Sequence, residues 1–241
     1  MRYIARRAVA AAAVAATALA LTMPPASANP GYILNGGSIE GTNVGDIVGY
    51  GLVNGTSLVC KSLEVTGYTP VVNGPTPGTT IATITSATFS SPGEVNDWCV
   101  VNGSIPTKVT ALSTWTGAGL WPFIETGSAS GITDGRLNGV AFELDAPSIP
   151  CRIVVGGPSS GGSGGFIEAA YTNPSTLTGT DGTLSIPLGA TNSLSVLSAF
   201  PGFTCYGLLS VGETVALIGD IQVNRTGPVP PPAGISPTIN P

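Results

Sequence analysis

Not one of the 241 residues is histidine. Histidine is the side chain whose ordinary pKa lies nearest neutral pH, and it is the commonest metal ligand. Its absence excludes Ser-His-Asp and Cys-His catalysis, most zinc sites and any imidazole proton relay. Serines are plentiful, but no histidine is at hand to activate a hydroxyl. Charge is scarce too: Asp, Glu, Lys and Arg together make up 9% of the chain, and only eight residues are basic. The cations beyond the N-terminal leader, Lys61, Lys108, Arg136, Arg152 and Arg225, are scattered. That argues against nucleic acid and against anionic membrane surfaces, which are held mainly by clustered Lys and Arg. No cofactor is expected. Aromatic residues are only 6% of the chain, so any local group of them stands out.

What the chain does have begins with a leader. Arg2, Arg6 and Arg7 precede an apolar run from Ala8 to Thr22, followed by Pro24-Pro25 and Ala26-Ser27-Ala28. A positive n-region, a short h-region and an A-x-A site make a signal peptide over residues 1–28, cleaved after Ala28. The apolar run is shorter than the ~20 residues a membrane anchor needs. Export by the general secretory route is expected, with the Arg6-Arg7 pair leaving twin-arginine export as an alternative. The mature chain would be secreted and extracellular, with five basic against 13 acidic residues, a formal balance of −8.

Four cysteines, Cys60, Cys99, Cys151 and Cys205, in an exported chain favour two disulfides over free thiols or metal ligands. The pairing Cys60–Cys99 and Cys151–Cys205 is preferred among three because each bond then staples one half of the chain. Each closed loop would contribute roughly 3–4 kcal/mol in the chain-entropy account.

After the leader, helical periodicity is nearly absent. Runs rich in Val, Ile, Thr and aromatics alternate with Gly, Pro, Asn and Ser clusters, the pattern of an all-β chain. Strands are expected over Ser57–Thr66, Thr79–Ser90, Lys108–Trp115, Arg136–Asp145, Arg152–Val155, Phe166–Thr172, Gly182–Leu188, Ser193–Phe200 and Glu213–Val223. Val140, Phe142 and Leu144 fall on one face, with Glu143 and Asp145 on the other. Thr133-Asp134-Gly135-Arg136-Leu137 and Thr180-Asp181-Gly182-Thr183-Leu184 share a T-D-G-x-L pattern, in which Asp-Gly suits a tight hairpin turn. The Gly/Ser-rich segment 156–165 reads as a surface loop within one domain, an interdomain linker being the alternative. The expected architecture is a single disulfide-stapled antiparallel β-sandwich over 29–225, followed by a proline-rich, extended and disordered tail over 226–241.

Gly78-Thr79-Thr80-Ile81-Ala82-Thr83-Ile84-Thr85, Trp98-Cys99, Trp121-Pro122, the two T-D-G-x-L segments and the closing Val211-Gly212-Glu213 and Ile218-Gly219-Asp220 complete the pattern. With its leader, this arrangement resembles small exported β-proteins of actinobacteria. The resemblance covers most of the mature chain and implies compartment and fold; it carries no activity to transfer.

Three groups are candidates for chemistry. Glu143 and Asp145, at i and i+2 on a strand, are the pair a glycoside hydrolase would use, since that chemistry needs two carboxylates roughly 5–10 Å apart and no histidine. The plain reading of the same two residues is the solvated face of an amphipathic strand. Trp115 and Trp121, with Phe123, would stack on sugar rings if exposed; the plain reading makes them part of the core. Glu94 and Asp97, like Asp134 and Asp181, are oxygen ligands suited to calcium, but EF-hand spacing is missing and turn geometry already explains the last two, so no metal is assigned. The first choice is thus a non-enzymatic exported protein with a structural or interaction role, its partner another copy of itself or a cell-surface polymer. Exposed β-edges and uncharged faces favour such association. A carbohydrate-binding module on Trp115 and Trp121 and a two-carboxylate hydrolase on Glu143 and Asp145 are the alternatives.

Overall fold

The computed structural model describes residues 32–34, 36–72, 77–113, 120–158, 164–176, 178–200, 202, 205–226 and 236–240. The leader 1–28 lies outside them. The strands, in chain order, are β1 (Tyr32–Leu34), β2 (Gly37–Gly51), β3 (Ser57–Cys60), β4 (Ser62–Thr69), β5 (Thr80–Ser90), β6 (Cys99–Val101), β7 (Ile105–Ser113) and β8 (Trp121–Ala129). They continue with β9 (Ile132–Asn138), β10 (Val140–Ala146), β11 (Cys151–Gly156), β12 (Phe166–Thr172), β13 (Thr183–Ile186), β14 (Ser195–Phe200), β15 (Val215–Arg225) and β16 (Thr238–Asn240). Inward and outward residues alternate along them. In β4, Leu63 and Val65 are buried while Glu64, Thr66 and Tyr68 face out.

The fold is antiparallel and all-β, as the composition implies, and it is stapled by Cys60–Cys99 and Cys151–Cys205. The sheet also closes on itself. Successive strands join end to end into eight walls: β2 alone, then β3 with β4, β5 with β6, β7 with β8, β9 with β10, β11 with β12, β13 with β14, and β15 alone. In the lower storey the pairings run β2, β4, β5, β8, β9, β12, β13, β15. In the upper storey they run β2, β3, β6, β7, β10, β11, β14. β14 then reaches the start of β15 through the Ser195↔Thr214 bridge and the bonds Val196 N–H to Glu213 O and Val215 N–H to Leu194 O. Both storeys close where β15 pairs β2 from Val215↔Gly51 to Arg225↔Ile39. Each wall neighbours the next one in sequence, so the whole is an up-and-down barrel. Its walls break mid-height, at Lys61 between β3 and β4 and at Gly139 (φ 69°) between β9 and β10.

Apolar side chains fill the lumen as one continuous core. At mid-height Phe142 takes Phe89 and Trp121 edge-on, with ring centroids 6.4 and 6.1 Å away. Among the described residues, closure pairs the long strands of the barrel on both sides, which leaves few of the free β-edges that the sequence reading invoked for self-association.

Two local expectations change. Gly135 is not in a turn: it sits inside β9 opposite Glu125, where a Cβ would lie 2.6 Å from the Phe123 ring. Its hydrogen side chain makes room for the aromatic ring. The hairpin turn is instead Ser130-Gly131, with φ of 53° and 80° between the paired Ala129 and Ile132, as a type I′ turn requires. Gly182 likewise lies beside Tyr171, whose hydroxyl would be 2.3 Å from an added Cβ. The end of the expected disordered tail is ordered: Ser236 to Ile239 are buried, and β16 pairs with β1. Burial of Ile239 and hydrogen bonds to Tyr171 and Asn173 hold it there. Residues 159–163 of the Gly/Ser segment lie outside the described residues. Their flanks, β11 and β12, belong to adjoining positions of the same barrel, and Gly165 O accepts from Val140 N–H at 3.1 Å.

Candidate functional site at the barrel mouth

Of the carboxylates singled out from the sequence, Glu143, Asp145 and Glu94 have cations beside them. Glu143 accepts a hydrogen bond from Arg152 Nη2 at 2.5 Å, and that bond and charge raise the arginine's pKa. Asp145 lies across from Lys108 on β7 and from Arg152 on β11. Glu94 pairs with Lys61 at 2.6 Å, and Asp97 accepts from Gly93 N–H at 3.0 Å. Asp181 accepts from Ser175 N–H at 3.0 Å. Glu168 pairs with Arg136, which lies 4.6 Å above the Phe166 ring. Hydrogen bonding to Thr191 and to Arg136 lowers the Glu168 pKa. Among the described residues no three Cys, Asp or Glu side chains gather into a metal-binding group.

Trp121 is 3% exposed and belongs to the core at mid-height, so it offers no sugar platform. Its indole Nε1 is buried without a partner. Trp115 lies outside the described residues.

The structure gathers a different set of polar groups at the lower mouth of the barrel. This end is framed by the first residues of β2, β5, β9 and β13 and the last of β4, β8, β12 and β15. Just inside it is an apolar cavity of about 50 Å³, lined by Ile39, Val65, Ile81, Phe123 and Val223 among others. Pro237 and Ile239 of the C-terminal strap close it from below. Tyr171 donates its hydroxyl to Pro237 O at 2.5 Å, Asn173 donates to Ile239 O, and Ile239 N–H donates to Asn173 Oδ1 at 2.8 Å. Burial pushes the Tyr171 pKa well above the usual tyrosine value, so the phenol stays a donor.

Two charged residues continue the inward phase of their strands into this mouth. On β8, Glu125 follows Trp121 and Phe123 and is 3% exposed. On β15, Arg225 follows Ile221 and Val223 and is 5% exposed. Arg225 Nη2 donates to Gly36 O at 2.8 Å, but its Nε and Nη1 are buried without partners, as is Glu125 Oε2. The described residues include all 13 Asp and Glu of the chain, and none forms an ion pair with Arg225. Burial lowers the Arg225 pKa. Glu125 and Arg225 stand on the fourth and eighth of eight walls, on opposite sides of the mouth. Sequence reasoning passed over both. The available signal was a charge in phase with an apolar alternation, Trp121-x-Phe123-x-Glu125 and Ile221-x-Val223-x-Arg225.

The upper mouth is closed differently. Leu209 lies over Gly51, where a Cβ would come within 2.4 Å of it, and Thr56 donates to Leu208 O. This loop is anchored by Cys151–Cys205 and by Glu213.

Comparisons with protein-family models, with curated proteins and with solved structures find no match to this chain.

Proposed function

We propose that this chain is an exported, non-enzymatic protein with a structural or interaction role; its resemblance to small exported actinobacterial β-proteins supports the compartment alone. The observation that carries this reading is the disposition of the hydrolase pair. Glu143 is bound to Arg152 on an open strand face, with Thr110 and Val154 as its cross-strand neighbours. A glycosidase acid needs an apolar surround, and Glu143 has a guanidinium beside it instead. Support for an interaction role comes from the upper end. Leu52 and Val53 are 60% and 76% exposed, and Val211 is exposed on the neighbouring loop. The Glu213 carboxylate ties these loops together through Val53 N–H and Ser210 N–H. Large apolar side chains held rigidly in solvent favour a partner surface. The disulfides fit an oxidising compartment outside the cell.

The test is a pull-down on insoluble glucan and chitin with a parallel hydrolysis assay, using the wild type, Trp121→Phe and Glu143→Gln. Neither retention nor soluble sugar release is expected from any of them. Sugar release abolished by Glu143→Gln in a folded protein would replace this reading with the hydrolase. Retention by the wild type would promote the carbohydrate module, with Trp115 as its anchor.

A further inference from the structure

We propose that the lower mouth of the barrel is a binding site for a small amphipathic monocarboxylate, which displaces the 236–240 strap, sets its carboxylate on Arg225 and lays its apolar body in the lumen. This goes beyond the non-enzymatic reading above and does not depend on it.

Four observations lead there. First, the lumen below mid-height is lined by aliphatic and aromatic side chains and holds a cavity of about 50 Å³. An apolar cavity stays dry and accepts apolar guests, but one that holds a benzene ring measures about 150 Å³. A larger body therefore enters only when Pro237 and Ile239 withdraw. Second, Arg225 is a buried guanidinium with two nitrogens unmatched and no Asp or Glu among the described residues paired with it. A buried charge without a counter-charge is costly, and an incoming carboxylate offers it short, charge-assisted hydrogen bonds. Third, the two stoppers are unequal. The upper one carries a disulfide, Cys151–Cys205, whereas hydrogen bonds and the side-chain packing of Pro237 and Ile239 hold the strap at the lower end. The end closed without a covalent link is the one with the unmatched charge. Fourth, Glu125 stands on the opposite wall at the same end, buried, with Oε2 unpartnered and no ion pair among the described residues. It disfavours a second negative charge on the ligand and so selects a single-headed acid over a diacid.

The experiment is calorimetric titration of the exported chain with octanoate, octanol and octanedioate. Octanoate is expected to saturate one site, with octanol and octanedioate at least tenfold weaker. Arg225→Met should reduce octanoate affinity to that of octanol. Asn173→Ala, which removes both hydrogen bonds to Ile239, should tighten octanoate severalfold because less strap contact has to be broken. Equal affinity for octanoate and octanol would overturn the proposal, as would absence of saturable octanoate binding in both the wild type and Asn173→Ala. If Arg225→Met does not fold, the octanoate-to-octanol ratio of the wild type decides the matter alone.

Discussion

Four donors converge on the Glu213 carboxylate: Val53 N–H and Asn54 N–H at 2.9 and 2.8 Å on Oε1, and Asn54 Nδ2 and Ser210 N–H at 2.9 Å each on Oε2. Burial acts to raise its pKa, but the hydrogen bonds from Asn54, Ser210 and Val53 outweigh it and leave the group below the ordinary glutamate value. Bonds to a charged acceptor contribute about 1.5–3 kcal/mol each, less where water can substitute. Glu213→Ala should therefore lower stability by about 3 kcal/mol in urea denaturation, by freeing the loops that close the upper mouth. The same shift sets an acid limit. A carboxylate whose folded pKa is depressed adds stability above its unfolded pKa, near 4.3, and that stability is lost as pH falls through the folded value. Hydrogen bonds to Thr191 and Arg136 lower the Glu168 pKa, and those to Ser175 lower that of Asp181, so they act in the same direction. With no histidine to titrate, the melting temperature should be nearly flat from about pH 5.5 to 7.5 and fall below about pH 4.5. Glu213→Ala should show the shallower acid decline, and a wild-type change of many degrees between pH 6 and 7.5 would contradict this account.

Within the elements, glycine does two separate jobs that sequence alone runs together. In β9, Gly135 is there so that the Phe123 ring can lie against the backbone, and its strand conformation suits any residue. In the β8–β9 turn, Ser130 and Gly131 both have positive φ. Opposite responses are expected. Gly135→Ala should destabilise by about 1–3 kcal/mol, the usual cost of overpacking. Ser130→Asn should stabilise by roughly 0.5 kcal/mol, because Asn-Gly is the preferred type I′ pair. Chemical denaturation of both variants checks the assignment. A neutral Gly135→Ala would return that residue to an open site. The fifteen-residue β2 carries the same lesson: Gly41 and Gly51 let Val65, Ile221 and Leu209 fill the lumen, and this run, outside every strand expected from the sequence, is the longest among the described residues.

For the whole molecule, closure depends on β2 meeting β15 across most of the chain length, with one disulfide at mid-height and one at the upper end. The closed loops span 39 and 54 residues, worth about 4 kcal/mol each in the chain-entropy account. Replacing either pair by serine should cost a similar amount of global stability. Only Cys151→Ser/Cys205→Ser should also expose Leu208 and Leu209 to fast hydrogen exchange, since that bond latches the upper stopper. Equal local protection in the two double variants would show that hydrogen bonding at Glu213 and Thr56 suffices to hold the loop.

Much of this was legible from residue order. Alternation placed Val140, Phe142 and Leu144 inside and Glu143 and Asp145 outside. The absence of helical periodicity set the class, and cysteine spacing led to the pairing that forms. These are local matters, settled by side-chain period and chain entropy. Glu143's commitment to Arg152, the burial of Trp121, the return of Ile239 to the mouth and the placing of Arg225 and Glu125 on opposite walls at one end were not legible. Each depends on which strands become neighbours in the ring. Alternation says that a residue faces inward but not what it faces, and only closure of the barrel brought an unmatched guanidinium, an unmatched carboxylate and an apolar lumen to the same end.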